Sequence, residues 1–156
     1  MNRHKACWGL LLGAGFLSFG QATNVLWETP TPLVKLKVGT VADVRLPLQL
    51  SPGYHTNSNA PSDPYLIPLK LTWGSGPLEP VAVFYPRPQL QKVSFSEKPV
   101  SVFSGRFDLV TRFKIPPSAT PGPTALIGSV RYQACTDNLC LPPKTIDVAL
   151  EVDISQ

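Results

Sequence analysis

Hydrophobic and polar residues alternate along much of this chain with the period of a β-strand. In VRLPLQL, residues 44–50, Val44, Leu46, Leu48 and Leu50 fall on one face and Arg45, Pro47 and Gln49 on the other, the pattern of a strand half-buried against a core. Pro47 on the outward face puts this strand near a sheet edge or at a bulge, because proline cannot donate to a ladder. The last segment alternates without fault: Ile146, Val148, Leu150, Val152 and Ile154 against Asp147, Ala149, Glu151, Asp153 and Ser155. From Gly105 onward, Phe107, Leu109, Phe113 and Ile115 oppose Arg106, Asp108, Arg112 and Lys114, with Val110 and Thr111 out of pattern. LVKLKV at residues 33–38 alternates apolar and basic side chains, and residues 65–73 place Tyr65, Ile67, Leu69, Leu71 and Trp73 in one register. Residues 124–134 read as a strand running straight into Cys135. NSNAPSDP, residues 57–64, is rich in turn formers and reads as a loop. Residues 81–85 form a short apolar run between Pro80 and Pro86, and most of the chain from there to Pro99 reads as a long loop. No window holds a helical period over three turns. Seven or more short strands, with 18 prolines that punctuate rather than cluster, predict an all-β fold, an antiparallel β-sandwich of immunoglobulin-like arrangement.

The first 22 residues do not share this pattern. Arg3, His4 and Lys5 make a basic start, CWGLLLGAGFLSF at residues 7–19 is an apolar run of signal-peptide length, and Gly20, Gln21 and Ala22 supply the small-x-small pattern of a cleavage site. Residues 1–22 are therefore expected to be a cleaved signal, the run being short for a membrane span. Residues 23–156 are expected to form one exported domain. Charge adds little: without Arg3 and Lys5 the net is about +2, and no basic cluster is interleaved with aromatics, so nucleic acid is not an expected partner.

Export gives the cysteines their meaning. Cys7 leaves with the signal, which leaves an even pair, Cys135 and Cys140, in an oxidising compartment, and a bond between them is the simplest pairing. They flank Thr136, Asp137, Asn138 and Leu139, where Asp and Asn favour a turn. Pro142 and Pro143 follow and place Cys140 on an exposed edge. Two readings follow. As a staple, the bond closes so short a loop that it stabilises by only about 2 kcal/mol, and the domain would be a binding module. As an exchangeable bond, it needs access more than stability. No helix N-terminus is predicted to lower a thiol pKa here, and Asp137 opposes a thiolate, so the pair would depend on its partner for activation. His55 with Cys135 and Cys140 makes a poor metal site, lacking a fourth ligand and tighter cysteine spacing, and no metal or other cofactor is expected. Gly74, Ser75 and Gly76 do not form a hydrolase elbow.

YQACTDNLCLPPK, residues 132–144, together with GYHTNSNAPSDPYLIP, residues 53–68, closely resembles the N-terminal periplasmic domain of the thiol:disulfide interchange protein DsbD and its relatives. The resemblance runs from about Leu33 to Ile154. It implies an immunoglobulin-like fold that relays electrons from a membrane-embedded reductant to periplasmic thioredoxin-like and isomerase proteins, including cytochrome c maturation factors. By position, Cys135 and Cys140 become the redox pair, Cys140 the sulfur that forms mixed disulfides, and Tyr132 and Gln133 precede the pair as in the family. Better-known members cover the disulfide with an aromatic loop carrying an acidic pair. This sequence has no such pair, so Phe95 and Glu97 stand as cap or site-wall candidates beside Tyr132, with ordinary packing the alternative for Phe95. The chain ends at Gln156 without a membrane region, which points to a donor on a separate chain. A monomer is expected.

Overall fold

The computed structural model describes residues 24–156, and the expected signal with Cys7 lies outside them. Three four-stranded sheets and no helix occur among the described residues. The first sheet runs in the order β1 (Leu26–Glu28), β3 (Val41–Leu50), β9 (Arg106–Lys114), β6 (Glu79–Phe84). The second runs β2 (Val34–Lys37), β12 (Lys144–Ser155), β10 (Gly122–Tyr132), β5 (Lys70–Trp73), and the third β11 (Ala134–Cys135), β4 (His55–Asn57), β8 (Val100–Ser104), β7 (Gln89–Gln91). Every pairing is antiparallel except that of β2 with β12.

The alternation seen in the sequence builds the sandwich. Val44, Leu46, Leu48 and Leu50 on β3 and Leu109 and Phe113 on β9 share one core with Leu126 and Val130 on β10 and Val148, Leu150 and Val152 on β12. Each fully buried leucine contributes about 1.5–3 kcal/mol relative to exposure. Thr111, out of pattern by chemistry, is in register by geometry: it is buried on the apolar face of β9 and its Oγ1 accepts the Trp73 indole N–H at 2.9 Å. That bond joins the first two sheets, as does the edge-on packing of Trp73 against Phe113 at 5.4 Å.

Three expectations narrow or change. β3 lies one strand in from the sheet edge and its register with β9 is unbroken, so Pro47 marks no bulge. β1 stops at Glu28, opposite Leu48. The Leu50 N–H donates to Gly105 on the β9 side, so by the alternation of the ladder the missing N–H of Pro47 faces the β1 side just past the end of that strand, where the Pro47 carbonyl alone is used, accepting from Thr29 N–H at 3.0 Å. Tyr65 does not belong to the strand ending at Trp73: it is 89% exposed, and the strand begins only at Lys70 because Pro64 and Pro68 interrupt the segment before it. The strand through residues 124–134 does not run on into Cys135 in one sheet. β10 ends at Tyr132, and beyond Gln133 the chain joins the third sheet as β11.

The third sheet is thus built from chain leaving the other two. β10 passes into β11 at Gln133, β3 into β4 through the turn at Pro52 and Gly53, and β8 into β9 at Gly105, whose φ of 63° lies in the left-handed region that favours glycine. It carries the cysteine hairpin.

Candidate functional site

Register brings the sulfurs together. Leu141 N–H donates to the Ala134 carbonyl and Thr136 N–H to that of Leu139, both at 2.8 Å, which leaves Cys135 and Cys140 as the non-hydrogen-bonded pair between them, bridged as antiparallel partners. Side chains of such a pair approach most closely, and the two cysteines form a disulfide with Cα atoms 4.0 Å apart. Thr136 shapes the turn, its Oγ1 accepting the N–H groups of Asn138 and Leu139 at 3.3 Å. The Asp137 carboxylate is used elsewhere.

The two sulfurs differ in access. Cys135 is 0% exposed, whereas Cys140 is partly exposed, beside exposed Leu139 and ahead of exposed Pro142 and Pro143. Gln133, at the sheet junction, holds the base of the hairpin: its Nε2 donates to the Leu141 carbonyl at 3.2 Å, and its Oε1 accepts from Asn57 Nδ2 and Ile67 N–H, each at 3.4 Å.

The connection between β7 and β8 lies against this hairpin. Gln91 Nε2 donates to Asp137 Oδ1 at 2.7 Å and Ser94 N–H donates to the Asp137 carbonyl at 2.8 Å. Phe95 follows directly and is 38% exposed, outside the core. With Glu97 and Lys98 it lines an open groove of about 480 Å³, whose other wall includes Asp63, Tyr65 and Leu66. Neither cysteine lines that groove. Tyr132 is separate from both: its side chain is buried in the main core and offers no surface to a partner. Burial raises its phenol above the usual value, offset in part by the backbone of Leu26 and Val25, although the hydroxyl makes no hydrogen bond of ordinary geometry.

His55 is the first residue of β4. It is 1% exposed, its Nε2 has no hydrogen-bond partner, and it is the residue directly paired with Cys135 between β4 and β11. Burial lowers its pKa from 6.5, and the Asp137 charge acts in the opposite sense. Nothing in the local sequence placed it there, because strand β4 consists of polar residues buried on both faces. Among the described residues no three His, Cys, Asp or Glu side chains gather to hold a metal ion.

Residues 25–152 match the family model described as thiol:disulfide interchange protein DsbD, N-terminal. The chain belongs to that family. With membership comes the immunoglobulin-like sandwich expected from the sequence, and the family is one of thiol-disulfide interchange. No match is found among curated proteins. Among solved structures, the chain is similar to the N-terminal periplasmic domain of ScsB from Proteus mirabilis, with a TM-score of 0.53 and 14% identity over 84% of this chain. It spans only 52% of that chain, about half its length. The Neisseria meningitidis DsbD N-terminal domain in the reduced form superposes more loosely, at a TM-score of 0.42 and 12% identity, over 70% of this chain and 76% of that one.

Proposed function

We propose that this DsbD N-terminal family member is a periplasmic electron relay whose working group is the Cys135–Cys140 disulfide. The observation that carries the reading is the asymmetry of the pair, one sulfur buried and the other reachable at the tip of a hairpin. A thiolate of a membrane-embedded reductant on another chain attacks Cys140 Sγ, forming a mixed disulfide while Cys135 leaves as a thiolate. A second donor thiol resolves that bond, and the two electrons now rest on Cys135 and Cys140. The reduced pair passes them to the disulfide of an exported thioredoxin-like or isomerase protein, including those that serve cytochrome c maturation. The β7–β8 connection with Phe95 and Glu97 serves as the cap, a reading supported by the bonds from Gln91 and Ser94 that hold it against the turn at Asp137. Residues 1–22 direct export and are removed.

The test is the reduction potential, measured by equilibrating residues 23–156 in redox buffers and trapping free thiols. A value of roughly −270 to −180 mV supports the relay, and one below about −300 mV marks a structural bond and a binding module instead. A thioredoxin-like protein lacking its resolving cysteine should be trapped as a mixed disulfide by Cys135→Ser and not by Cys140→Ser.

A further inference from the structure

We infer that His55 is the proton acceptor for Cys135, the group that frees the buried thiol to close the disulfide. The inference rests on the exchange reading above and adds a residue to it.

The geometry begins with register. Cys135 and His55 are directly paired across β11 and β4, so their side chains stand on the same face with Cβ atoms about 4.5–5.5 Å apart. Both are shut off from water, so a proton leaving Cys135 has no solvent to receive it directly. His55 Nε2 is a buried nitrogen with no partner, and an unpaired polar atom of that kind is costly to leave so unless it has a use. Other elements offer no substitute: β8 (VSVFS) and β7 (QLQ) carry no titratable side chain, and β11 carries only Cys135. Asp137 in the turn is the one charged group acting on the ring. Burial holds the imidazole below its usual value, hence neutral and able to accept near neutral pH, and the Asp137 carboxylate favours the imidazolium once it forms.

Cys140 thiolate attacks the client disulfide, and one client sulfur leaves as a thiolate. Cys135 S–H gives its proton to His55, and the resulting thiolate attacks Cys140 Sγ in the mixed disulfide. The Cys135–Cys140 bond forms, the second client sulfur leaves as a thiolate, and the imidazolium returns its proton to that thiolate or to water. Two electrons pass to the client. This supplies from a strand the thiol activation that other thiol proteins draw from a helix N-terminus.

The experiment follows the His55 imidazole by NMR through a pH titration of residues 23–156, with the disulfide intact, after reduction with dithiothreitol, and in Cys140→Ser, where Cys135 is a lone thiol. Ultraviolet thiolate absorbance follows Cys135 in Cys140→Ser with and without His55→Gln. The expected result is an imidazole midpoint that moves by about one pH unit between disulfide and thiol forms, and a Cys135 titration that shares its midpoint with the imidazole and shifts upward in His55→Gln. Coincident imidazole curves in the two redox states overturn the inference, as does a Cys135 titration indifferent to His55→Gln. If His55→Gln does not fold, the comparison of oxidised with reduced wild type decides alone. A protein that exchanges disulfides normally yet shows coincident curves loses this inference and keeps the relay, whereas a disulfide that no thioredoxin-like partner reduces removes the relay itself.

Discussion

Gln91 Nε2 donates to Asp137 Oδ1 at 2.7 Å, so the connection after β7 is tied by a side chain to the turn that carries the disulfide. The bond is solvent-exposed, and a bond to a charged acceptor contributes about 1.5–3 kcal/mol at most, less where water competes. Gln91→Ala should therefore loosen the cover and speed reduction of the disulfide by dithiothreitol about two- to tenfold, with little change in unfolding free energy. Stopped-flow reduction kinetics beside a urea melt check both, and an unchanged reduction rate shows that this connection does not guard the bond.

Trp73 and Thr111 set a second prediction. Trp73→Phe keeps the ring against Phe113 but leaves the buried Thr111 hydroxyl without its indole partner, at a cost of about 1–3 kcal/mol. Adding Thr111→Val removes the orphan and should restore part of that loss. Urea unfolding of the four members of the cycle measures the coupling, and additivity within error denies it.

Gly128 is required by the same tryptophan. A Cβ at this position would lie 2.7 Å from Trp73 Cε3 and 2.9 Å from the Thr72 carbonyl oxygen, and the backbone atom cannot swing aside. Gly128→Ala should destabilise by about 1–3 kcal/mol through overpacking, read as a lower midpoint in urea.

Stability should also depend on pH through His55. Its folded pKa lies below the ordinary 6.5 because of burial, so as pH falls below that value the unfolded chain takes up a proton that the folded chain resists. The neutral-pH stability is lost progressively until the folded pKa is passed, and then the loss levels off. Urea midpoints of the oxidised protein should fall on acidification more steeply for wild type than for His55→Gln. Parallel pH profiles for the two count against the burial of a neutral ring.

The parts of the fold legible in the sequence are those where one face meets the core. β12 and β3 declare themselves because Ile146 to Ile154 and Val44 to Leu50 alternate. β8 does not, since Val100, Ser101, Val102 and Phe103 are all buried and a strand covered on both faces has no alternation to show. β4 is harder still, being three buried polar residues that run into what reads as a loop at Asn57. The cysteine hairpin was visible from spacing and turn chemistry. Its neighbours were not: His55, Gln91 and Ser94 reach it only through the third sheet, a long-range arrangement that leaves no local mark. Tyr65 misled in the other direction, keeping step with Leu69 and Leu71 while Pro64 and Pro68 hold it out in solvent.

The hydrogen bonds at the foot of the hairpin have a consequence for turnover. Gln133 to Leu141, Leu141 to Ala134 and Thr136 to Leu139 close the turn without help from sulfur, and just below them Tyr132 pairs with Lys144 at the end of the longest ladder in the molecule. Cutting the sulfur bridge therefore releases no slack chain. Oxidised and reduced forms should have the same silhouette, and under the proposed relay a partner choosing between them would have only the local chemistry of two atoms to go by, with no part of the scaffold rebuilt at each exchange.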